Sequence, residues 1–289
     1  MLLALAVSAH AAEPPADLPA ALAAWRADRV AEVAGESGWL TVVALHFLKD
    51  GDNAVGGAPG SDIVVPGLAA RAGRFVVSGR AVRFVAEPGG GVQDGDHAAG
   101  VLDVTPADGE APRVLAAGSL RLLVIERGGR FALRVRDLAS RARREFKGLD
   151  YFPVDPAWAL DARFEPYTPA RHVPITNVLG MEIDMLSPGA IVFARDGREW
   201  RLDALLEAPG DDHLFVMFAD ATSGHGTYGA GRFLYVPLPA GRAVRVDFNR
   251  AYNPPCAFTG FATCPLPPPQ NRLALAVRAG ELAYAGAAH

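Results

Sequence analysis

Between Trp39 and Phe84 no apolar run goes far before a glycine-rich turn cuts it. The runs are Leu40–Leu48, Ile63–Val65, Phe75–Val77 and Val82–Val85. Turn residues stand between them at Asp50-Gly51-Asp52-Asn53, Gly56-Gly57 and Ser78-Gly79. A stable helix needs an uninterrupted apolar period over roughly ten residues or more, whereas strands tolerate this spacing. The first half therefore reads as short strands in a sandwich or barrel.

The same rhythm continues through Val101–Val104 and Leu120–Ile125. Phe131, Leu133 and Val135 alternate with Arg130, Arg134 and Arg136, which predicts a half-buried strand with a cationic outer face. In the second half Ile191–Phe193 and Trp200–Leu202 flank Asp196-Gly197, a strong hairpin signal. Leu214–Phe218, Phe233–Val236 and Ala243–Phe248 give three further strands, and Leu273–Val277 with Leu282–Tyr284 are expected to close the fold as strands. One amphipathic helix is predicted over Leu22–Val33, with Leu22, Trp25, Arg29 and Val33 on one face. The expected fold is mainly β, with two sandwich or barrel-like β subdomains and a short N-terminal helix. Residues 1–20 read as a signal remnant and linker, 21–150 as the first subdomain and 151–289 as the second.

Half of the 289 residues are apolar, enough for a sizeable core. The net charge of −4 offers no basic field to nucleic acid, and none is expected as a partner. No apolar run approaches the roughly 20 residues of a membrane span. Met1–Ala12 is apolar and ends in the A-x-A of Ala9-His10-Ala11, the small-residue pattern that signal peptidase accepts. Export to the periplasm or beyond is expected, although a positive n-region is missing; a cytoplasmic protein with a ragged terminus is the alternative.

Familiar catalytic motifs are missing: there is no G-x-S-x-G elbow, phosphate loop or H-E-x-x-H zinc helix. His213 and His225 lie near Asp211, Asp212 and Asp220 without a fixed ligand spacing, so neither a metal nor a cofactor is expected. Cys256 and Cys264 have seven residues between them, and in an exported protein they are expected to form a disulfide.

Two long stretches carry the strongest signal. They are D-A-T-S-G-H-G-T-Y-G-A-G-R at Asp220–Arg232 and D-F-N-R-A-Y-N-P-P-C-A-F-T-G-F-A-T-C-P-L-P-P-P-Q-N-R-L at Asp247–Leu273. From about Trp25 to Leu282 the chain resembles a bacterial and archaeal family of unknown function that shares these signatures, a resemblance that implies no activity. A weaker likeness joins Gly51–Gly57 and Ser61–Val65 to the opening of a forkhead-associated sandwich. Gly57 stands where that family's phosphate-gripping Arg would be, and Ala69–Gly73 supplies no Ser–His pair.

The candidate site residues come from the signatures. Thr222, Ser223, Thr227, Tyr228 and Arg232 in a glycine-rich loop, with Asn249, Tyr252 and Asn253, compose a receptor for a small polar or anionic ligand. Asp220, Asp247 and Glu281 are the candidate acid and base, if two of them converge. A hairpin of Phe233–Val236 with Ala243–Phe248 would bring Arg232 beside Asp247. Three functions stay open: an exported hydrolase, a non-catalytic envelope protein binding an anionic ligand, and a structural or assembly protein whose motifs lock the fold. Export makes a direct prediction. Terminal sequencing of the protein recovered from the periplasm should read Ala12 first, and an intact Met1 on that material would contradict it.

Overall fold

The computed structural model describes residues 20–107 and 109–286. The chain is mainly β, with one short N-terminal helix. That helix, α1, runs Ala20–Ala34, and its buried stripe is Leu22, Arg29 and Val33. Two compact units divide the described residues: one lies within residues 32–145, the other combines 20–31 with 146–286.

In the 32–145 unit the strands are β1 (Val42–Phe47), β2 (Gly51–Gly56), β3 (Ile63–Val64), β4 (Gly73–Ser78), β5 (Ala81–Ala86), β6 (Gln93–Asp94), β7 (His97–Ala98), β8 (Val101–Asp103), β9 (Val114–Ala117), β10 (Leu120–Arg127) and β11 (Arg130–Asp137). They form two sheets, ordered β1-β11-β10-β9-β6-β7 and β3-β2-β4-β5-β8. One core joins both sheets: Val55, Phe75, Val82 and Phe84 pack with Leu115, Leu122, Leu133 and Val135. The cationic outer face expected of β11 is corrected at Arg134. The second face is covered too: Leu45, Phe47, Leu123, Ile125 and Ala132 cluster on it, and Arg134 is buried with its guanidinium over the Trp39 ring. After β11, Ser140 caps the short helix α2 (Arg141–Arg144) and donates its hydroxyl to the Leu40 carbonyl.

The 146–289 segment builds β12 (Ala159–Thr176), β13 (Glu182–Arg195), β14 (Arg198–Leu206), β15 (His213–Phe218), β16 (Arg232–Pro237) and β17 (Ala243–Asp247). These make one sheet, ordered β16-β15-β14-β13-β12-β17, curled into a nearly closed barrel. The β13–β14 hairpin turns at Asp196-Gly197, with φ of 53° and 70°, the left-handed pair that a two-residue turn demands. Inside the barrel, Phe248 meets the rings of Trp158, Phe193 and Phe218 at centroid distances of 5.8, 5.4 and 5.5 Å.

Two expectations change here. β16 and β17 lie at opposite edges of the sheet, and β17 pairs with β12, so the hairpin meant to join Arg232 to Asp247 does not form. Leu273–Val277 and Leu282–Tyr284 are not strands. Leu273, Leu275 and Val277 do bury alternate side chains in the barrel core, but the tail meets the rest of the unit through isolated bridges such as Ala219↔Arg272 and Tyr151↔Glu281. Over a short stretch the tail is bonded like a strand, the Leu273 amide donating to the Ala219 carbonyl at 2.8 Å and the Ala221 amide to the Leu275 carbonyl at 2.9 Å. From Val277 onward buried side chains add hydrogen bonds of the kind a neighbouring strand would give.

Phe248 sets a prediction for the barrel. Phe248→Ala should cost about 3–5 kcal/mol, because three aromatic neighbours cannot collapse onto the vacated volume. Chemical denaturation followed by near-ultraviolet circular dichroism measures it.

Candidate functional site

The loop between β15 and β16 is folded by its own side chains. Asp220 accepts from the Thr222 amide at 3.4 Å, from the Thr222 hydroxyl at 2.9 Å and from the Ser223 hydroxyl at 3.3 Å. Its own amide donates to Ser223 Oγ at 3.1 Å. The Thr222 and Thr227 hydroxyls meet at 2.9 Å. Such bonds replace the ladder that the chain leaves after β15. Gly231 closes the loop at φ 103°, and a Cβ there would stand 2.5 Å from the Phe218 carbonyl oxygen. Gly224 and Gly226 adopt left-handed turns with open space where a Cβ would stand.

At the start of β16 stands Arg232, completely buried. Its Nη2 donates to the Val277 carbonyl at 2.8 Å and faces Asp220 Oδ1 at 3.5 Å. Its Nη1 donates to the carbonyls of Ala279 and, at 3.4 Å, Glu281. Residues 277, 279 and 281 are spaced by two, as carbonyls on one side of an extended chain must be. A planar guanidinium with five N–H donors can take all three, which a single ammonium point charge matches poorly. Burial lowers the Arg232 pKa, and the charges of Asp220 and Glu281 act in the opposite direction. The Val277 amide, in turn, donates to Asp220 Oδ2 at 2.7 Å.

Glu281 is the second enclosed carboxylate. Arg29 of α1 donates through Nε to its Oε1 at 3.0 Å, and the Asn253 amide donates to its Oε2 at 2.8 Å. Arg29 also reaches the Asn253 carbonyl at 3.3 Å and lies 4.3 Å from the Tyr252 ring centroid. Asn253 Nδ2 donates to the Leu282 carbonyl at 2.7 Å. Burial first, and Glu281 second, push the Tyr151 phenol above its ordinary range.

Asp247 stands apart from both carboxylates' bonds. It caps the 3-10 turn Phe248–Arg250, accepting from the Asn249 amide at 3.0 Å and from Asn249 Nδ2 at 2.9 Å. Asn249 also bonds Asp155, accepting from its amide at 3.1 Å and donating to its carbonyl at 3.0 Å. The expected Arg232–Asp247 pair is thus replaced by Arg232–Asp220. Tyr228 is half-buried near Cys256 and Cys264. The disulfide expected of these two cysteines is not formed in the structure, where both are free and buried.

Two residues of the network lie outside the sequence candidates. Arg29 occupies the buried face of the predicted helix, and a cation on an apolar stripe is itself a signal of a buried partner. Asn271, fully buried, donates to the carbonyls of Asp203 and Met217 at 2.9 and 2.8 Å and accepts from the Asp203 amide at 2.7 Å. It sits inside the second signature, whose spacing alone does not reveal that role.

A family model described as a protein of unknown function, DUF1684, matches residues 144–282. The solution structure of an uncharacterized protein from Haloarcula marismortui is similar at 33% identity, over 48% of this chain and 78% of that one, with a TM-score of 0.42. The chain belongs to the DUF1684 family. No curated protein matches it. The family match begins near the start of the barrel unit, later than the Trp25 at which the sequence likeness begins, and it takes in Asp220, Arg232, Asn253, Asn271 and Glu281 while leaving out Arg29.

The Asn271 bonds carry a prediction. Asn271→Ala removes three hydrogen bonds and strands buried backbone groups, each worth about 1–3 kcal/mol when left unmade. A loss of about 3–5 kcal/mol, read from urea denaturation, is expected.

Proposed function

We propose that this DUF1684 chain is an exported, non-catalytic structural or assembly protein, and that its signature residues clamp the C-terminal tail rather than form an active site. The observation that supports this is the enclosure of Arg232. Its guanidinium is buried and engaged by three carbonyls and Asp220, so a ligand would have to displace the tail to reach it. A hydrolase reading needs Asp220 or Glu281 to exchange protons with a substrate. Both are buried, and protein donors already occupy their oxygens. Reception of a small anionic ligand by Thr222, Ser223 and Thr227 meets the same difficulty, since Thr222 and Thr227 are buried and bonded to each other. The apolar Met1–Ala12 stretch with its A-x-A end supports export; it lies outside the described residues.

Arg232→Leu and Asp247→Asn separate scaffold from site. Breaking a buried pair by removing one partner costs about 3–5 kcal/mol, which corresponds to a melting temperature lower by roughly 10 °C in a unit of this size. Asp247→Asn keeps a capping side chain and should change stability by about 1 kcal/mol or less. Differential scanning calorimetry gives both values. The proposal fails if the protein turns over a chromogenic ester or phosphoester and Asp220→Asn abolishes that turnover while the melting temperature stays unchanged.

A further inference from the structure

Cys256 and Cys264 take no part in the clamp. Cys256 lies in the 3-10 turn Pro255–Ala257, with Pro254 as its cap. Its amide donates to Cys264 Sγ at 3.0 Å, and the Cys264 amide donates to Cys256 Sγ at 3.3 Å. This reciprocal pair holds each sulfur at the other cysteine's backbone. Prolines on both sides restrict the backbone: Pro254 and Pro255 before the first thiol, Pro265 directly after the second. The Cys264 segment is anchored as well, since its carbonyl accepts from the Val178 amide at 3.0 Å and the Leu266 amide donates to the Thr176 carbonyl at 2.9 Å. The thiols differ in one useful respect. Cys256 is 8% exposed and Cys264 4%, and between them Gly260 and Phe261 are open to solvent.

We infer that Cys256 and Cys264 are a reversible thiol–disulfide exchange pair, with Cys256 the attacking sulfur and Cys264 the resolving one. The hydrogen bond from Cys264 also holds the Cys256 thiol below its ordinary pKa, against the opposing effect of burial, and so favours the nucleophilic thiolate. The co-reactant is a small disulfide, R–S–S–R. Cys256 thiolate attacks one sulfur of R–S–S–R, a Cys256–S–S–R bond forms, and R–S⁻ departs and takes up the proton that Cys256 gave up. Cys264, as its thiolate, then attacks Cys256 Sγ, the Cys256–S–S–Cys264 bond forms, and the second R–S⁻ leaves with the Cys264 proton. Two cysteine thiols are oxidised by two electrons, and one small disulfide is reduced to two thiols. The inference stands apart from the structural reading of the clamp, whose residues it does not use.

Glutathione buffers test it on the full chain. Samples are acid-quenched, alkylated under denaturing conditions and weighed intact. Raising the ratio of oxidised to reduced glutathione should convert wild type from two alkylated thiols to none, with no glutathione retained, and excess reduced glutathione should restore both labels. Cys264→Ser should hold one stable glutathione adduct on Cys256, formed at least about ten-fold faster than any adduct on Cys264 in Cys256→Ser. If a serine variant does not fold, early quenched samples of wild type decide, because peptide mapping should place the transient adduct on Cys256. Two labels at every ratio, an oxidised form that excess reduced glutathione leaves intact, or a first adduct on Cys264 would each overturn the inference.

Discussion

A single buried guanidinium organises the C-terminal unit. Arg232 reaches across from the start of β16 to three alternate carbonyls of the tail, while Asp220 balances its charge and takes the Val277 amide. Taking that charge out of water is expensive, and a buried pair does not by itself guarantee stability. Here the guanidinium does more than neutralise Asp220. It satisfies carbonyl oxygens that would otherwise be buried without a partner, and each of those would cost about 1–3 kcal/mol. Exposed pairs such as Arg163 with Glu165 and Arg245 with Asp161 are of a different kind, since solvent screens their attraction.

Glu281 and Arg29 extend the same logic to the helix. The Glu281 carboxylate joins the α1 guanidinium to the Asn253 amide, and the Asn253 side chain returns to the Leu282 carbonyl. Asn271 performs the neutral version between Asp203 and Met217. The long signatures therefore contain residues whose side chains stand in for the hydrogen bonds of a missing strand. Polar residues in such numbers resemble an active site when read from sequence, because both uses call for Asp, Asn, Thr and Arg held in fixed positions.

What could be read from the sequence was what local physics determines. The α1 periodicity, the Asp196-Gly197 turn and the strands of both units follow from side-chain alternation and turn chemistry within a few residues. The tail reads as strand because Leu273, Leu275 and Val277 alternate like one, and the structure buries all three. Its partners lie 45, 47 and 57 residues away, on Arg232 and Asp220, and no local pattern encodes that. The Arg232–Asp247 pairing fails for a topological reason: consecutive strands usually neighbour each other, yet the sheet order puts β16 and β17 at opposite edges. Arg134 departs from its pattern because strand alternation does not say whether the second face is covered.

Asp220 and Glu281 bind the backbone where the tail meets the rest of the unit as firmly as a neighbouring strand would. Native-state hydrogen exchange by NMR measures this at the amides of Val277 and Asn253, which donate to Asp220 and Glu281. Protection comparable to that of Val216 in the barrel strand β15, reaching the global unfolding free energy, is the predicted result. Exchange of both amides at the rate of an open loop, while Val216 stays protected, would contradict it.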